Sequence, residues 1–370
     1  MQGGCERFDV AVIGGGVVGM LSALLLGRHG RKVVLFERKE VGQESSWAGG
    51  GIVSPLYPWR YGAAIEALAN WSADFYPQLG RALADETGID PEVYPTGLYW
   101  LDLEDEACAC SWGGSSGQPL RQLDRDALFS EMPVLGASFT QALHMPGVAN
   151  VRNPRLLKSL RRALVMMPEV TICESSSVDT PLIDGNRVIG VKVEGECYLA
   201  DQTLLAAGAW SAELLAPLGL DLPVEPVKGQ MILYKCASNF LTAIVLAKGR
   251  YAIPRKDGHI LVGSTLEHVG FDKTPTDEGL AGLKASAQEL LPALADAEVV
   301  GHWAGLRPGS PDGIPYIGEL PQYPGLWLNC GHYRNGLVLA PASCELLKNL
   351  MLGEAPIIDP APYSPAWRLG

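Results

Sequence analysis

A chain of 370 residues is long enough for two to three domains, and 47% hydrophobic against 19% charged residues excludes a disordered chain. Against 41 acidic residues there are 29 basic ones, and the net charge of −12 has the wrong sign for a protein that neutralises nucleic-acid phosphates. The 43 glycines and 27 prolines point to many turns, and no heptad, fixed-period repeat or low-complexity tract beyond Gly113–Gly117 suggests an array.

Val10–Gly27 carries no charge, so it could be a leader or a membrane span, with Gly15-x-x-x-Gly19 as a helix-pairing motif. Three features oppose that. Glu6 and Asp9 stand where a basic leader belongs, three consecutive glycines would break a helix centre, and Arg28–Lys32 leads straight into another apolar run. The run is parsed instead as strand, tight turn and helix, with no targeting segment. Phe8–Ile13 is the strand, Gly14-x-Gly16-x-x-Gly19 the turn, and the helix runs from Val17 to about His29 with Gly30 just beyond it. Lys32–Phe36 is a second strand, ending at Glu37. In such a unit the first glycine permits the turn, the second lets backbone N–H groups approach a pyrophosphate, and the third lets helix and strand pack closely. The helix presents its positive end to the phosphates. Glu37, 18 residues after Gly19, is placed to accept from a ribose diol and would repel a 2′-phosphate, which disfavours NADP.

The chain continues unlike a nicotinamide dehydrogenase, which would bring further strand–helix–strand units at once. Gly42–Ile52 is instead a loop of small residues, suited to a second part of an extended cofactor; a surface linker is the alternative, opposed by the inward-pointing Ile52-Val53. A long helix is expected from Tyr61 to about Glu86, a strand at Gly97–Asp102 and a loop at Asp105–Gln118. Asn153-Pro154 starts a helix through about Met166, and Val170–Glu174 and Val188–Val193 read as strands. Gln202–Ser211 combines a strand, a glycine turn and a helix start. Further strands are expected at Gly229–Tyr234, Tyr251–Pro254 and Ile260–Thr265, and a helix at Asp277–Leu291. Leu326–Leu337 repeats strand and glycine loop before a helix from about Pro341 to Leu352. The eight cysteines (5, 108, 110, 173, 197, 236, 330 and 344) show neither Cys-x-x-Cys nor zinc spacing, which reads as free thiols in a reducing cytoplasm and no metal site.

These landmarks resemble, nearly end to end, the FAD-dependent amine oxidases of the D-amino-acid oxidase superfamily, most closely the glycine oxidases of thiamine biosynthesis. The resemblance rests on Val12–Gly19, Ser45-Ser46 with Ala48–Gly51, Ala206–Trp210, Tyr251–Arg255, Gly305–Pro308 and Gly331–Gly336. It implies an α/β protein: a Rossmann-like FAD-binding domain (1–85, 146–222 and 298–370) interleaved with a smaller α+β substrate domain on an antiparallel sheet (86–145 and 223–297). It further implies non-covalent FAD held by Val17, Val18, Glu37, Arg38, Ser45, Ser46, Gly50, Gly51 and Ile52, beside the Gly14, Gly16 and Gly19 of the turn. Val178 would touch the adenine end, and His332, Tyr333, Arg334, Asn335, Gly336, Leu337 and Val338 the flavin. Arg307 and Tyr251 would hold the substrate carboxylate, with Arg334 near the amino acid. Leu266 stands where the family has a methionine beside the flavin.

The residues support those roles independently. From Val299 to Gly353 the only basic side chains are Arg307, Arg334 and Lys348, and Arg307 sits among apolar and turn residues with no adjacent acid. Arginine suits two-bond capture of a carboxylate; a salt bridge to a distant acid is the alternative for Arg307 and Arg334, and a packed core tyrosine for Tyr251. No Ser/His/Asp order and no histidine metal spacing competes. Without a second nucleotide motif or a redox cysteine pair, electrons must enter from the substrate, as hydride from Cα to the flavin. The reading is an oxidase of glycine and other small amines or D-amino acids, giving imine or glyoxylate, ammonia and H2O2. A D-amino-acid dehydrogenase feeding quinones, a sarcosine-type oxidase and an FAD module acting on tRNA are the alternatives; the net charge opposes the last, and Cys330 does not by itself supply a covalent flavin link. Expected partners are the small amino acid and O2, in a homo-oligomer with neither nucleic acid nor membrane insertion.

Overall fold

The computed structural model describes residues 7–369; Met1–Glu6 and Gly370 lie outside it, and with them Cys5 and Glu6. Two eight-stranded sheets carry the architecture. In the first, β1 (Arg7–Ile13) lies between β2 (Val33–Phe36) and the Glu196–Leu205 strand, parallel to both, with Val12 opposite Leu35 and Leu204. Val170–Cys173 extends the parallel sheet beyond β2, and Leu326–Cys330 extends it beyond Glu196–Leu205. Tyr316–Glu319 closes one edge antiparallel, while Val178–Asp184 and Arg187–Val193 branch off as an antiparallel ribbon.

Both faces of this sheet are covered, which is why its strands read as unbroken apolar runs. Val10, Val12, Val33 and Leu35 face a core shared with four helices: α1 (Val17–Arg28), Ala63–Thr87, Asn153–Val165 and Gly336–Leu352. Ala11, Ile13, Val34 and Phe36 face a second core with Val188, Leu215 and Leu328. α1 is buried on nearly every side, and that explains its missing charges. Its Gly27 packs so tightly that a Cβ would stand 2.4 Å from Met167 Sδ. Gly30, at φ +72, turns the chain out of the helix.

The second sheet runs in the order Glu298–Gly309, Glu225–Lys235, His259–Gly263, Arg250–Pro254, Ile244–Ala247, Leu98–Leu101, Gln141–Met145 and Arg121–Asp124. All neighbours are antiparallel except Ile244–Ala247 with Leu98–Leu101, the seam where two distant chain segments meet without a hairpin. Apolar cores lie against it as well, one with Leu283, Ala287 and Leu290 of the Asp277–Leu290 helix.

Three sequence expectations need correcting. Glu298–Gly309 pairs along its length with Glu225–Lys235, so it belongs to the second sheet and not with 310–370. Its glycines at 301, 305 and 309 interrupt the alternation that would have marked a strand. Asp105–Gln118 is not a loop, because Glu106–Ser116 is helical. Ala109 is buried, Trp112 Nε1 donates to Glu66 Oε1 at 3.0 Å, and Gly117 ends the helix in the left-handed region, its N–H on Gly113 O. The last long helix starts at Gly336, not Pro341. The proline removes one helical N–H, and the Leu337 carbonyl that would have received it accepts instead from the Tyr76 hydroxyl at 2.6 Å. Among the described residues, Cys108, Cys110, Cys236, Cys330 and Cys344 are free thiols.

Candidate functional site

The carboxyl ends of β1, β2, Glu196–Leu205 and Leu326–Cys330 open on one side of the first sheet, where ligands bind in open α/β sheets. The second sheet closes over them, and between the two lies a cleft of ≈ 380 Å³. Every residue expected around a cofactor or substrate lines this cleft except Gly19 and Leu266. Gly19 lies under it: a Cβ there would stand 1.9 Å from Gly14 O, so its task is to let α1 press on the turn. Gly14 takes φ +107, and a Cβ would stand 2.6 Å from Ala206 O. Leu266 is also outside the lining. It is 45% exposed, so it forms no part of the cleft wall.

Glu37 is buried at the end of β2 and is held by backbone donors, Gly15 N at 2.9 Å and Lys39 N at 3.1 Å. Val17 N, in the first turn of α1, donates to Ser46 Oγ at 3.0 Å, which ties the helix start to the small-residue loop. Farther along, Arg38 lies 3.8 Å above the Trp210 ring, and Ser176–Val178 complete that end. At the opposite end Gly331 (φ +80) and Tyr333 (φ +48) bend the chain into the Gly336–Leu352 helix. His332 is buried there 3.0 Å from Ser343 Oγ, and burial pushes its pKa down to about 4, leaving a neutral imidazole.

The facing wall of the cleft is built by the second sheet. Arg307 Nη2 donates to Ser264 Oγ at 2.7 Å, and Nη1 to Thr265 O at 3.2 Å and Lys228 O at 3.3 Å. No carboxylate pairs with it among the described residues. Burial lowers its pKa, the nearby Tyr251 raises it and Arg334 lowers it again; guanidinium remains a cation throughout. Tyr251 is buried beside it, with its hydroxyl 3.5 Å from Met231 Sδ, while Arg334 is exposed at the rim. The guanidinium lies flat on Gly229, where a Cβ would come within 2.2 Å of Nη1.

Sequence reasoning did not single out Ser264, Gly229, Asn153 or Asn329. The last of these had a signal, a lone amide inside the apolar strand Leu-Trp-Leu-Asn-Cys. Asn153 Oδ1, Asn329 Oδ1 and Asn335 Nδ2 are buried in the cleft wall with no protein partner. Buried polar atoms are rarely left so, and a polar ligand running the length of the cleft would satisfy them. Together with the glycine cradle and the backbone-held Glu37, they fit a dinucleotide.

Comparison with known proteins agrees with this geometry. The family model described as FAD dependent oxidoreductase (DAO) matches residues 9–350. The chain is 62% identical over 362 residues to the glycine oxidase of Pseudomonas putida, spanning 98% of this chain and 99% of that protein. It is 30% identical over 367 residues to the bifunctional protein ThiO/ThiG of Nostoc sp., spanning 96% of this chain and 55% of that one. The crystal structure of glycine oxidase from Geobacillus kaustophilus superposes with a TM-score of 0.91 at 31% identity, over 97% of this chain and 98% of that one.

Proposed function

The chain belongs to the FAD-dependent oxidoreductase family and is an FAD-dependent amino-acid oxidase, and on that premise we propose that it oxidises glycine and other small amines. The observation that carries this reading is Arg307, a buried cation in the cleft wall with no acid of its own. Three of its five N–H groups go to Ser264, Thr265 and Lys228, leaving two for a substrate carboxylate. Tyr251 stands beside that carboxylate, and Arg334 covers it from the rim.

The Gly14–Gly19 turn and the start of α1 would hold the pyrophosphate of FAD, Glu37 a ribose diol, Val178 the adenine end and His332–Val338 the flavin end. Bound FAD would supply a two-electron acceptor for hydride from the substrate Cα, with O2 as the final acceptor and H2O2 as its product. The protein's share is placement: the fork on the carboxylate fixes which Cα–H bond faces the cofactor. The one buried histidine of the cleft has its pKa pushed down to about 4 by burial and is a weak base, so the substrate ammonium would lose its proton to water. The imine product hydrolyses to glyoxylate and ammonia, or serves as the glycine imine for thiazole assembly in thiamine biosynthesis, a role favoured by likeness to the protein named ThiO/ThiG. Burial pushes the Cys330 thiol up to about 12, which disfavours its thiolate.

The reading is tested by peroxide release from purified holoenzyme with glycine, sarcosine, D-alanine and D-proline. Glycine and sarcosine are expected to turn over with one peroxide per imine formed. Turnover of D-amino acids with a quinone acceptor and none with O2 would replace it with the dehydrogenase reading, although no helix among the described residues is long and apolar enough to cross a membrane.

A further inference from the structure

Arg255 follows the Arg250–Pro254 strand, four residues after Tyr251, and no role is assigned to it above. Its side chain is buried (7% exposed), and no carboxylate lies within ion-pair distance of it among the described residues. Burial lowers its pKa to about 10, which still leaves it charged at neutral pH. A guanidinium placed there without an acid is costly unless its donors are well used. They are: Nη1 donates to Asn150 Oδ1 and Val151 O, both at 3.1 Å, and Nη2 to Gly50 O at 2.7 Å.

Those acceptors come from two segments far apart in sequence, and one of them is a peptide of the cleft wall. The Gly50–Gly51 peptide is trans, so with Gly50 O on the guanidinium the Gly51 N–H must point the opposite way. That N–H finds no protein acceptor among the described residues, whereas Gly51 O is taken by Val151 N at 2.8 Å. The loop cannot drift sideways either. A Cβ at Gly50 would lie 2.9 Å from Ile253 Cδ1 and 3.3 Å from Tyr251 Cε2, and one at Gly51 2.0 Å from Val151 O.

We propose that Arg255 is a positioning residue for the cofactor: by holding the Gly50 carbonyl it presents the Gly51 N–H as a hydrogen-bond donor to FAD and locks that donor to the strand carrying Tyr251. One substrate contact, Tyr251, and one cofactor contact are thereby registered on a single strand. Arginine is required because only a planar fork reaches an amide oxygen and two carbonyls at once. The inference rests on FAD occupying this cleft and not on the identity of the substrate.

The test uses Arg255→Met and Arg255→Lys, with FAD affinity read from released-flavin fluorescence and the visible absorption spectrum of the bound flavin. Arg255→Met is expected to weaken FAD binding roughly 10- to 100-fold, the loss of a charge-assisted hydrogen bond and its aligned donor. The bound-flavin spectrum should shift, while KM for glycine changes little because Arg307 is untouched. Arg255→Lys keeps the charge and the stem, and should show a smaller change of the same sign. A folded Arg255→Met protein with wild-type FAD affinity and spectrum overturns the proposal, as does one that melts lower yet binds FAD normally. If Arg255→Met fails to fold, Arg255→Lys decides, and wild-type affinity and spectrum in that variant overturn it.

Discussion

Arg307 is buried among carbonyls and hydroxyls, and the α-carboxylate common to every candidate substrate is the acid that would neutralise it. Breaking a buried charged pair by removing one partner costs about 3–5 kcal/mol, and each 1.36 kcal/mol is tenfold in rate. Arg307→Ala is therefore expected to lower kcat/KM for glycine by roughly 10²–10³-fold, measured by peroxide release at limiting substrate. FAD content should hold, since the side chain is assigned to the substrate and not to the cofactor. Arg307→Lys should recover part of the loss, as an ammonium cannot reproduce the two-bond fork. An Arg307→Ala enzyme with near-normal kcat/KM would move the clamp to Arg334. Arg307, Tyr251 and Glu37 were legible because each stood in a short motif whose chemistry needs that residue type. Gly229 and Ser264 were not. Their meaning comes from register, Val227 opposite Arg307 and Gly229 opposite Gly305, which no local pattern encodes.

At the scale of elements, the strand–turn–helix unit was legible because its constraints are local: the glycine spacing, the apolar run and the acid at the end of β2 lie within about 30 residues. Gly19 gives the sharpest test. A Cβ at 1.9 Å from Gly14 O cannot be absorbed by a side chain, because the obstructing atom is backbone. Gly19→Ala must lift α1 off the turn, at an overpacking cost of about 1–3 kcal/mol. The expected result is a lower melting temperature in the apoprotein together with a reduced flavin-to-protein ratio. Unchanged flavin content would mean that the helix start does not set the phosphate site. The Glu106–Ser116 helix was illegible for the opposite reason. Its sequence, rich in small residues, has weak helical preference, and distant partners secure it: Glu66 for Trp112 and Leu120 against Gly113.

For the molecule as a whole, interleaving the chain between two sheets places the cleft where both contribute, and the same packing buries histidines in neutral form. His332 has its pKa pushed down to about 4 by burial, and His144 likewise to about 4 by burial first and then by Arg121, whose Nη2 donates to His144 Nδ1 at 2.7 Å. In the unfolded chain a histidine takes its proton near pH 6.5. Between about pH 4 and 6.5 the unfolded state therefore binds more protons, so stability is full above that window and falls as pH drops through it. For the fully buried His332 the difference is worth about 3 kcal/mol; for the half-buried His144 it is less. The carboxylates held below their usual range, such as Asp105 and Glu131, act in the same direction only nearer pH 4, where their unfolded counterparts protonate. Urea midpoints should accordingly fall between pH 7 and 5, and His144→Gln, whose amide oxygen can still accept from Arg121, should flatten part of that slope without touching the cleft. Turnover at limiting glycine should rise above neutral as the substrate ammonium loses its proton, since neither histidine is free to act as the base. Urea midpoints independent of pH from 7 to 5 would contradict the buried neutral histidines, and a rate bell centred near 6.5 would place a titrating histidine in the reaction.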